Sequence, residues 1–142
     1  MIKPDAVGRR LIGECIARLE KRGFKLVGLK MRTLTREAAE KHYGEHKGKP
    51  FYEPLLGFIT SGPVVQMVWE GADAVAQVRK MVGATSAFQA DAGTLRGDWA
   101  LSNRYNVIHA SDAPDTAQRE IGLYFSDEEL MEYSMPDEAW LQ

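Results

Sequence analysis

The stretch Val64-Val65-Gln66-Met67-Val68-Trp69 gives the clearest strand signal in the chain. It is a nearly continuous apolar run that follows the turn residues Ser61-Gly62-Pro63. An apolar run bounded by turn signals is typical of a strand that is covered on both faces. We therefore expect this strand to be central in a sheet, with the flanking elements packed around it.

On its N-terminal side the chain alternates between strand and helix patterns. Met1-Ile2-Lys3-Pro4-Asp5 predicts the end of a strand that runs into a turn at Pro4. An amphipathic helix from Leu11 to Leu19, which stops at Gly23, precedes a strand over Phe24–Met31. The pattern then predicts two helices: one that Thr35 caps and that runs to about His46, and a shorter one that holds Phe51 to Ile59.

On the C-terminal side the pattern changes at Gly83. Apolar residues from Val75 to Val82 predict a helix, whereas Ala84–Asp98 has no periodicity and is predicted to be a long polar loop. Tyr105–Ile108 has the composition of a short strand that ends at His109. Asp112-Ala113-Pro114 then indicates the start of a helix, and Ser126–Glu129 contains a capping box.

The predicted order is therefore β-α-β-α-α-β-α-loop-β-α. Four strands with helices between them favour a small α+β sandwich, with helices packed on one sheet, over a doubly wound sheet. A chain of 142 residues is the size of one domain, so we expect residues 1–142 to form a single unit.

Composition limits the possible partners. The net charge of −2 and the pI of about 5.9 give no basic field for nucleic acid or an anionic membrane, and no apolar run is long enough to span a bilayer. Cys15 is the only cysteine, which fits a reducing compartment. The expected location is the cytoplasm, with no specific nucleic acid or membrane partner.

The segment Asn106-Val107-Ile108-His109-Ala110-Ser111-Asp112 carries the sharpest functional signal. It places an imidazole and small polar side chains between a predicted strand and a predicted helix N-terminus, where free N–H groups favour a phosphate. A neutral imidazole is also a nucleophile. These residues predict a histidine that accepts phosphate, although a single histidine at a strand end is more often only packed or solvated.

Three other sequence motifs bear on this hypothesis. Neither G-x-x-x-x-G-K-[ST] nor a helix-opening G-x-G-x-x-G occurs in the sequence, so those two phosphate loops are excluded. His42-Tyr43-Gly44-Glu45-His46 matches the H-x-x-E-H zinc pattern. A short pattern recurs by chance, and zinc would need a third ligand, so we do not favour a metalloprotease.

Seven blocks taken together resemble the nucleoside diphosphate kinase family over residues 2 to about 133. The blocks are Ile2-Lys3-Pro4-Asp5, His42-Tyr43, Lys49-Pro50-Phe51-Tyr52, Ser61-Gly62-Pro63-Val64-Val65, Trp69-Glu70-Gly71, Gly93-Thr94-Leu95-Arg96-Gly97-Asp98 and Asn106-Val107-Ile108-His109-Ala110-Ser111-Asp112. The resemblance implies a ferredoxin-like α+β sandwich with a four-stranded antiparallel sheet. It also implies ping-pong transfer of a γ-phosphate from a nucleoside triphosphate to a nucleoside diphosphate, with Mg²⁺ on the phosphates and a hexameric or tetrameric homo-oligomer.

The resemblance further implies residue roles around the phosphates. His109 would be the nucleophile, and Glu120 with Ser111 beside it would hold its other ring nitrogen. The remaining matches to phosphate contacts are the cations Lys3, Arg79 and Arg96 and the hydroxyls of Tyr43 and Thr85. Any one of these cations could be an ordinary solvated charge, so only their joint fit supports the assignment.

The nucleoside and metal contacts are implied in the same way. Phe51 would stack on the base, and stacking does not select among bases. Asn106, together with Lys3, would bind the ribose hydroxyls, and Asp112 would reach Mg²⁺ through water.

Two departures from the family pattern leave a second function open. Most of a central first strand would precede Met1 in the family, so the first strand is expected to be truncated. In the long loop, Thr85-Ser86-Ala87 and Ala92 lack two prolines of the family pattern. The alternative is a nucleotide-binding or interaction module of the same fold that transfers little or no phosphate.

Overall fold

The computed structural model describes residues 1–141 and is built on an antiparallel strand pair. β1 (Lys25–Thr33) runs against β2 (Pro63–Glu70), from Lys25 opposite Glu70 to Thr33 opposite Pro63, with a bulge between Leu26 and Gly28. The opposite edge of β2 pairs with Ile2, which forms isolated antiparallel bridges to both Val65 and Ile108. The predicted central position of Val64–Trp69 is thus confirmed.

Seven α-helices occur within residues 1–141. They are α1 (Pro4–Gly8), α2 (Ile12–Lys21), α3 (Arg36–His42), α4 (Tyr52–Ile59), α5 (Ala74–Val82), α6 (Leu95–Trp99) and α7 (Pro114–Tyr124). Short 3₁₀ turns cover Gly44–His46, Ala87–Gln89, Asp127–Glu129 and Glu138–Trp140. Several predicted ends are confirmed: Thr35 caps α3 through the Ala38 N–H, and the Ser126–Glu129 capping box is present.

The core lies on both faces of β2, because successive side chains of a strand point to opposite sides. Val64 and Val68 belong to a cluster with buried residues of α3, α4 and α7, whereas Val65 packs with Ile2 and Ile108. This packing holds Ile2 beside β2, and Ile2 pairs in turn with Ile108 on its other side. The chain segments that follow these two residues are therefore held close together.

Two of three predicted helix boundaries differ in the structure. Pro4 begins α1 instead of only turning the chain, because proline has a helix-compatible φ and lacks only an N–H that the first turn leaves free. The helix capped by Thr35 ends at His42 and continues as a 3₁₀ turn over Gly44–His46. The start of α7 is confirmed, because Ala113 is its N-cap, without a side-chain hydrogen bond, and Pro114 lies in its first turn.

The predicted polar loop and the predicted final strand were wrong in part. Inside 84–98, the Thr94 hydroxyl accepts the Gly97 N–H and starts α6, whose Leu95 is buried. Around Tyr105–Ile108 only the bridge at Ile108 is strand-like. Val107 has a φ of +74°, and the Ile108 N–H bonds back to the Asn106 carbonyl, so a tight turn interrupts extended backbone.

None of the helices among the described residues is both long and apolar enough to cross a lipid bilayer.

Candidate active site

His109 and Glu120 form the centre of the site. The Nε2 of His109 lies 2.9 Å and 3.1 Å from the two carboxylate oxygens of Glu120, which comes from α7. The Ser111 hydroxyl donates to the same carboxylate at 2.6 Å. The His109 side chain is 22% exposed, so one edge of the ring remains accessible.

These contacts determine which nitrogen of His109 is reactive. Burial raises the pKa of Glu120, but the hydrogen bond and charge of His109 and the hydrogen bond of Ser111 outweigh it and lower this pKa to about 2. Burial lowers the pKa of His109 below its ordinary value, against the opposing effect of Glu120. A neutral ring beside a carboxylate that only accepts must carry its proton on Nε2, which leaves a lone pair on Nδ1.

A buried polar network lies at the strand-to-helix connection next to His109. The Lys3 ammonium donates to Asn106 Oδ1 at 2.6 Å, and Asn106 Nδ2 donates to the Thr85 carbonyl at 3.0 Å. Burial and the neighbouring Arg96 lower the pKa of Lys3 to about 8. The charge of Lys3 also contributes, after burial, to the lowered pKa of His109.

Two arginines bind backbone carbonyls around His109. Arg96, from α6, donates to the carbonyls of Asn106 at 3.3 Å, Gly83 at 3.1 Å and Ile108 at 2.7 Å. Arg79, from α5, donates to the Ala110 carbonyl at 3.3 Å. Burial and Arg79 lower the pKa of Arg96 to about 10, so it remains a cation at neutral pH.

The other predicted site residues lie around this centre. The ring of Tyr43 is 6.2 Å from that of His109, and its buried hydroxyl has no hydrogen-bond partner within residues 1–141. Phe51 is 49% exposed and contacts the ring of His46 edge-on at 5.3 Å. Asp112 is exposed. Thr85 enters the network through its carbonyl oxygen.

Chemically, the site combines a nucleophile with fixed positive charge. The free Nδ1 of His109 can attack an electrophile, while Lys3, Arg79 and Arg96 can stabilise a group whose oxygens carry negative charge. A phosphoryl group is an electrophile of that kind, since its transfer depends on positioning and on stabilisation of charge on its oxygens.

Comparison with known proteins agrees with this chemistry. The family model described as nucleoside diphosphate kinase matches residues 1–130. The chain belongs to the nucleoside diphosphate kinase family. The protein is therefore a phosphotransferase that acts on nucleoside diphosphates.

Relatives of this family match nearly the whole chain. The nucleoside diphosphate kinase of Pelotomaculum thermopropionicum is 61% identical over 141 residues, which cover 99% of this chain and 95% of the relative. The enzyme of Carboxydothermus hydrogenoformans is 57% identical over the same shares.

Solved structures give the fold. The halophilic nucleoside diphosphate kinase from Halobacterium salinarum, in complex with CDP, superposes with a TM-score of 0.97 at 49% identity and covers 99% of this chain and 94% of its own. A nucleoside diphosphate kinase family protein from Babesia bovis has a TM-score of 0.96 at 41% identity, covering 99% and 95%. The chain therefore has the ferredoxin-like α+β fold of the family.

Two residues of this kinase site were missed by the sequence reasoning, namely His42 and Tyr124. The ring of His42 lies edge-on to that of His109 at a centroid distance of 4.5 Å, and its Nδ1 is 2.8 Å from the Tyr124 hydroxyl. The three-residue spacing of Ala39 and His42 places both side chains on one helical face and could have indicated that His42 points inward. Because α3 ends at His42, His46 does not share that face, and the H-x-x-E-H arrangement is not formed.

Proposed function

We propose that this kinase works by a ping-pong mechanism in which Nδ1 of His109 carries the phosphate. The observation that supports it best is the pairing of His109 Nε2 with the Glu120 carboxylate, because this pairing keeps Nδ1 unprotonated. The Nδ1 lone pair forms a bond to the γ-phosphorus while the bond from that phosphorus to the bridging oxygen breaks. The bonding electrons leave with the nucleoside diphosphate, and a second diphosphate reverses the step.

Lys3, Arg79 and Arg96 would stabilise the transferring group. As the bridging bond breaks, negative charge moves onto the leaving β-phosphate, and a fixed cation is worth most where charge develops. The buried hydroxyl of Tyr43 would donate to a phosphate oxygen, and the hydroxyl of Thr85 would do the same. In the same step the His109 ring becomes more positive, and Glu120, with Ser111, would stabilise it.

The nucleoside would lie on Phe51, whose exposed ring can stack on any base. Asn106 and Lys3 would bind the ribose hydroxyls, since their hydrogen bond holds the two polar groups together. The Halobacterium salinarum enzyme was solved in complex with CDP, and we propose that this chain likewise takes nucleoside di- and triphosphates.

Mg²⁺ is the cofactor we propose. It prefers oxygen ligands, which nucleotide phosphates and an exposed carboxylate provide, so the donor set of the site fits this ion. Asp112 would hold it through water, and the bound ion would neutralise charge on the phosphates.

We further propose that residues 1–142 form one cytoplasmic domain with a four-stranded antiparallel sheet. The bridges from Ile2 to Val65 and to Ile108 support two additional strand positions, one beside β2 at Ile2 and the next beside Ile2 at Ile108. A homo-oligomer, hexameric or tetrameric, would cover exposed apolar side chains such as Leu29 and Met31 on β1 and Phe88 and Leu101. Size-exclusion chromatography with light scattering tests the assembly.

The deciding experiment labels the purified protein with ATP that carries radioactive γ-phosphate, in the presence of Mg²⁺. We expect acid-labile, alkali-stable label on the protein that moves to unlabelled GDP in a chase. His109→Ala should abolish labelling while nucleotide binding persists. Binding without labelling in the unaltered protein would instead favour a nucleotide-binding module.

A further inference from the structure

His42, His109 and Glu120 bring three potential metal-ligand atoms close together. One imidazole nitrogen from each histidine and a carboxylate oxygen all lie within 4.8 Å of one another. Nε2 of His42 is 3.7 Å from Glu120 Oε1, and Nε2 of His109 is 2.9 Å from Oε2. Neither the phosphate transfer nor the nucleotide contacts proposed above use Nε2 of His42.

The free nitrogen of His42 is the unusual feature. The side chain is only 1% exposed, and Nε2 has no hydrogen-bond partner within residues 1–141. A buried polar atom without a partner is costly, so an atom left in this state calls for an explanation. Here the unpaired nitrogen points at the carboxylate that already binds His109.

We propose that His42, His109 and Glu120 form a chelating site for a zinc-class divalent metal ion, distinct from the Mg²⁺ that accompanies the nucleotide. Two imidazoles and one carboxylate are a known zinc ligand set that leaves a fourth position for water. Imidazole nitrogen favours zinc, copper and nickel, whereas Mg²⁺ favours oxygen and retains water. The site therefore selects against the ion that the reaction uses.

The surroundings of the three ligands also fit a metal site. Metal-binding histidines usually use their second ring nitrogen in a hydrogen bond that fixes the ring, and ligating carboxylates are held by neighbouring donors. Tyr124 occupies Nδ1 of His42 at 2.8 Å, and Ser111 holds Glu120 at 2.6 Å. All three ligands are among the residues that line a cavity of about 140 Å³.

The geometry requires only a small adjustment. Ligand atoms about 2.1 Å from a tetrahedral zinc ion are about 3.4 Å apart. The 2.9 Å and 3.7 Å separations, which involve different oxygens of Glu120, bracket that value, and the three ligand atoms lie within 4.8 Å of one another. Closing the widest spacing by at most about 1.4 Å would therefore complete the site.

A metal ion bound at this site would prevent phosphate transfer. This consequence rests on the mechanism proposed above. Neutral imidazole has one N–H and one lone pair. When the metal takes the lone pair on Nε2 of His109, the proton moves to Nδ1, and Nδ1 can no longer attack phosphorus. The site would thus act as an inhibitory zinc site within the catalytic centre, and nucleotide would still reach the cations around it.

The test measures metal binding without nucleotide, so that it does not depend on transfer. Co²⁺ added to the metal-free full chain should give the visible absorption of a tetrahedral site at one ion per chain, and Zn²⁺ should displace it. His42→Gln should weaken binding at least about 10-fold, as should Tyr124→Phe, which keeps every ligand but removes the group that orients His42. His46→Gln, the same substitution on the remaining histidine, is the matched control and should leave binding unchanged.

Histidine ring NMR of the unaltered chain gives a readout that no substitution can disturb. Zn²⁺ should shift the signals of His42 and His109 and leave those of His46 in place, and phosphohistidine formation should fall in step with occupancy. Shifts at His46 alone, or equal Zn²⁺ affinity in His42→Gln, would overturn the metal site. Zn²⁺ bound at His42 and His109 with labelling still at full rate would overturn the inhibitory role. A chain that binds Zn²⁺ there but never labels, even when metal-free, would refute the proposed mechanism and leave the metal site standing.

Discussion

Replacing Glu120 with glutamine tests whether the carboxylate determines the reactive nitrogen of His109. The substitution keeps the size of the side chain and removes its charge. A carboxylate can only accept from Nε2, whereas an amide can also donate to it, which would place the ring proton on Nδ1. Because Glu120 raises the pKa of His109, the substitution lowers that pKa further. Protonation of the ring therefore cannot explain a loss of rate at neutral pH.

The size of the effect follows from the hydrogen bond that is lost. A net contribution of about 1.5–3 kcal/mol is usual for a hydrogen bond to a charged group. At about 1.4 kcal/mol per tenfold change, this corresponds to a decrease of about 10- to 150-fold in the rate of phosphohistidine formation. The charge on the ring grows as Nδ1 attacks, so the loss should appear in the chemical step. Nucleotide affinity should stay the same.

Rapid-quench labelling under single-turnover conditions, with nucleotide affinity measured separately by calorimetry, gives both quantities. Glu14→Gln makes the same charge change at an exposed position of α2 and serves as the control. Labelling of Glu120→Gln at the rate of the unaltered protein would refute the reasoning. So would a loss that comes entirely from weaker nucleotide binding, or one that Glu14→Gln reproduces.

Three further outcomes are expected. Arg96→Ala should lower phosphohistidine formation by about 10²-fold or more, measured in the same rapid-quench assay, because it removes one donor to the developing charge. The pKa of Lys3 is about 8, so kcat/KM should fall as pH rises through that value and Lys3 loses its charge. In a pH-rate profile, Lys3→Arg should keep kcat/KM constant over the same pH range. Gly97→Ala should destabilise the chain by about 1–3 kcal/mol, because the added methyl would overlap the Asp91 carbonyl. Calorimetry should show this as a melting temperature lower by roughly 2–12 °C. Gly57→Ala, at a position with open space, should not lower the melting temperature.

Local signals in the sequence predicted much of the fold. The apolar run of β2, the cap at Thr35 and the stops at Gly23 and Gly83 depend on residues within a few positions of each other, and the structure confirms all of them. Both glycines have a positive φ, which other residues adopt only at a cost. Such elements can be read from sequence because their physical cause is local.

Distant contacts explain what the sequence could not predict. Tyr105–Ile108 has strand composition, but the Asp5 carboxylate accepts the Val107 N–H at 3.0 Å, and Arg96 binds the carbonyls on both sides of Val107. Asp5 is 102 residues from Val107 in the chain and Arg96 lies on α6, so both partners are outside the segment, and they favour a turn over an extended strand. In the site, no periodicity predicts that Glu120 meets His109, and only the family resemblance identified that pair.

Arg96 has two roles that can be tested separately: it holds the turn at Val107, and it is proposed to stabilise phosphate. A β-branched residue at a φ of +74° is strained by about 1–3 kcal/mol, and it persists only where its surroundings hold it. Arg96 holds it through several hydrogen bonds from one planar guanidinium, and the same cation is proposed to stabilise phosphate. Arg96→Lys keeps the positive charge but cannot reproduce that planar fork. We therefore expect the lysine variant to melt at a lower temperature, as the alanine variant does, while recovering part of its lost labelling rate. If lysine restores the melting temperature as well, charge alone supports the turn, and the carbonyl contacts of Arg96 do not hold Val107 in its strained conformation.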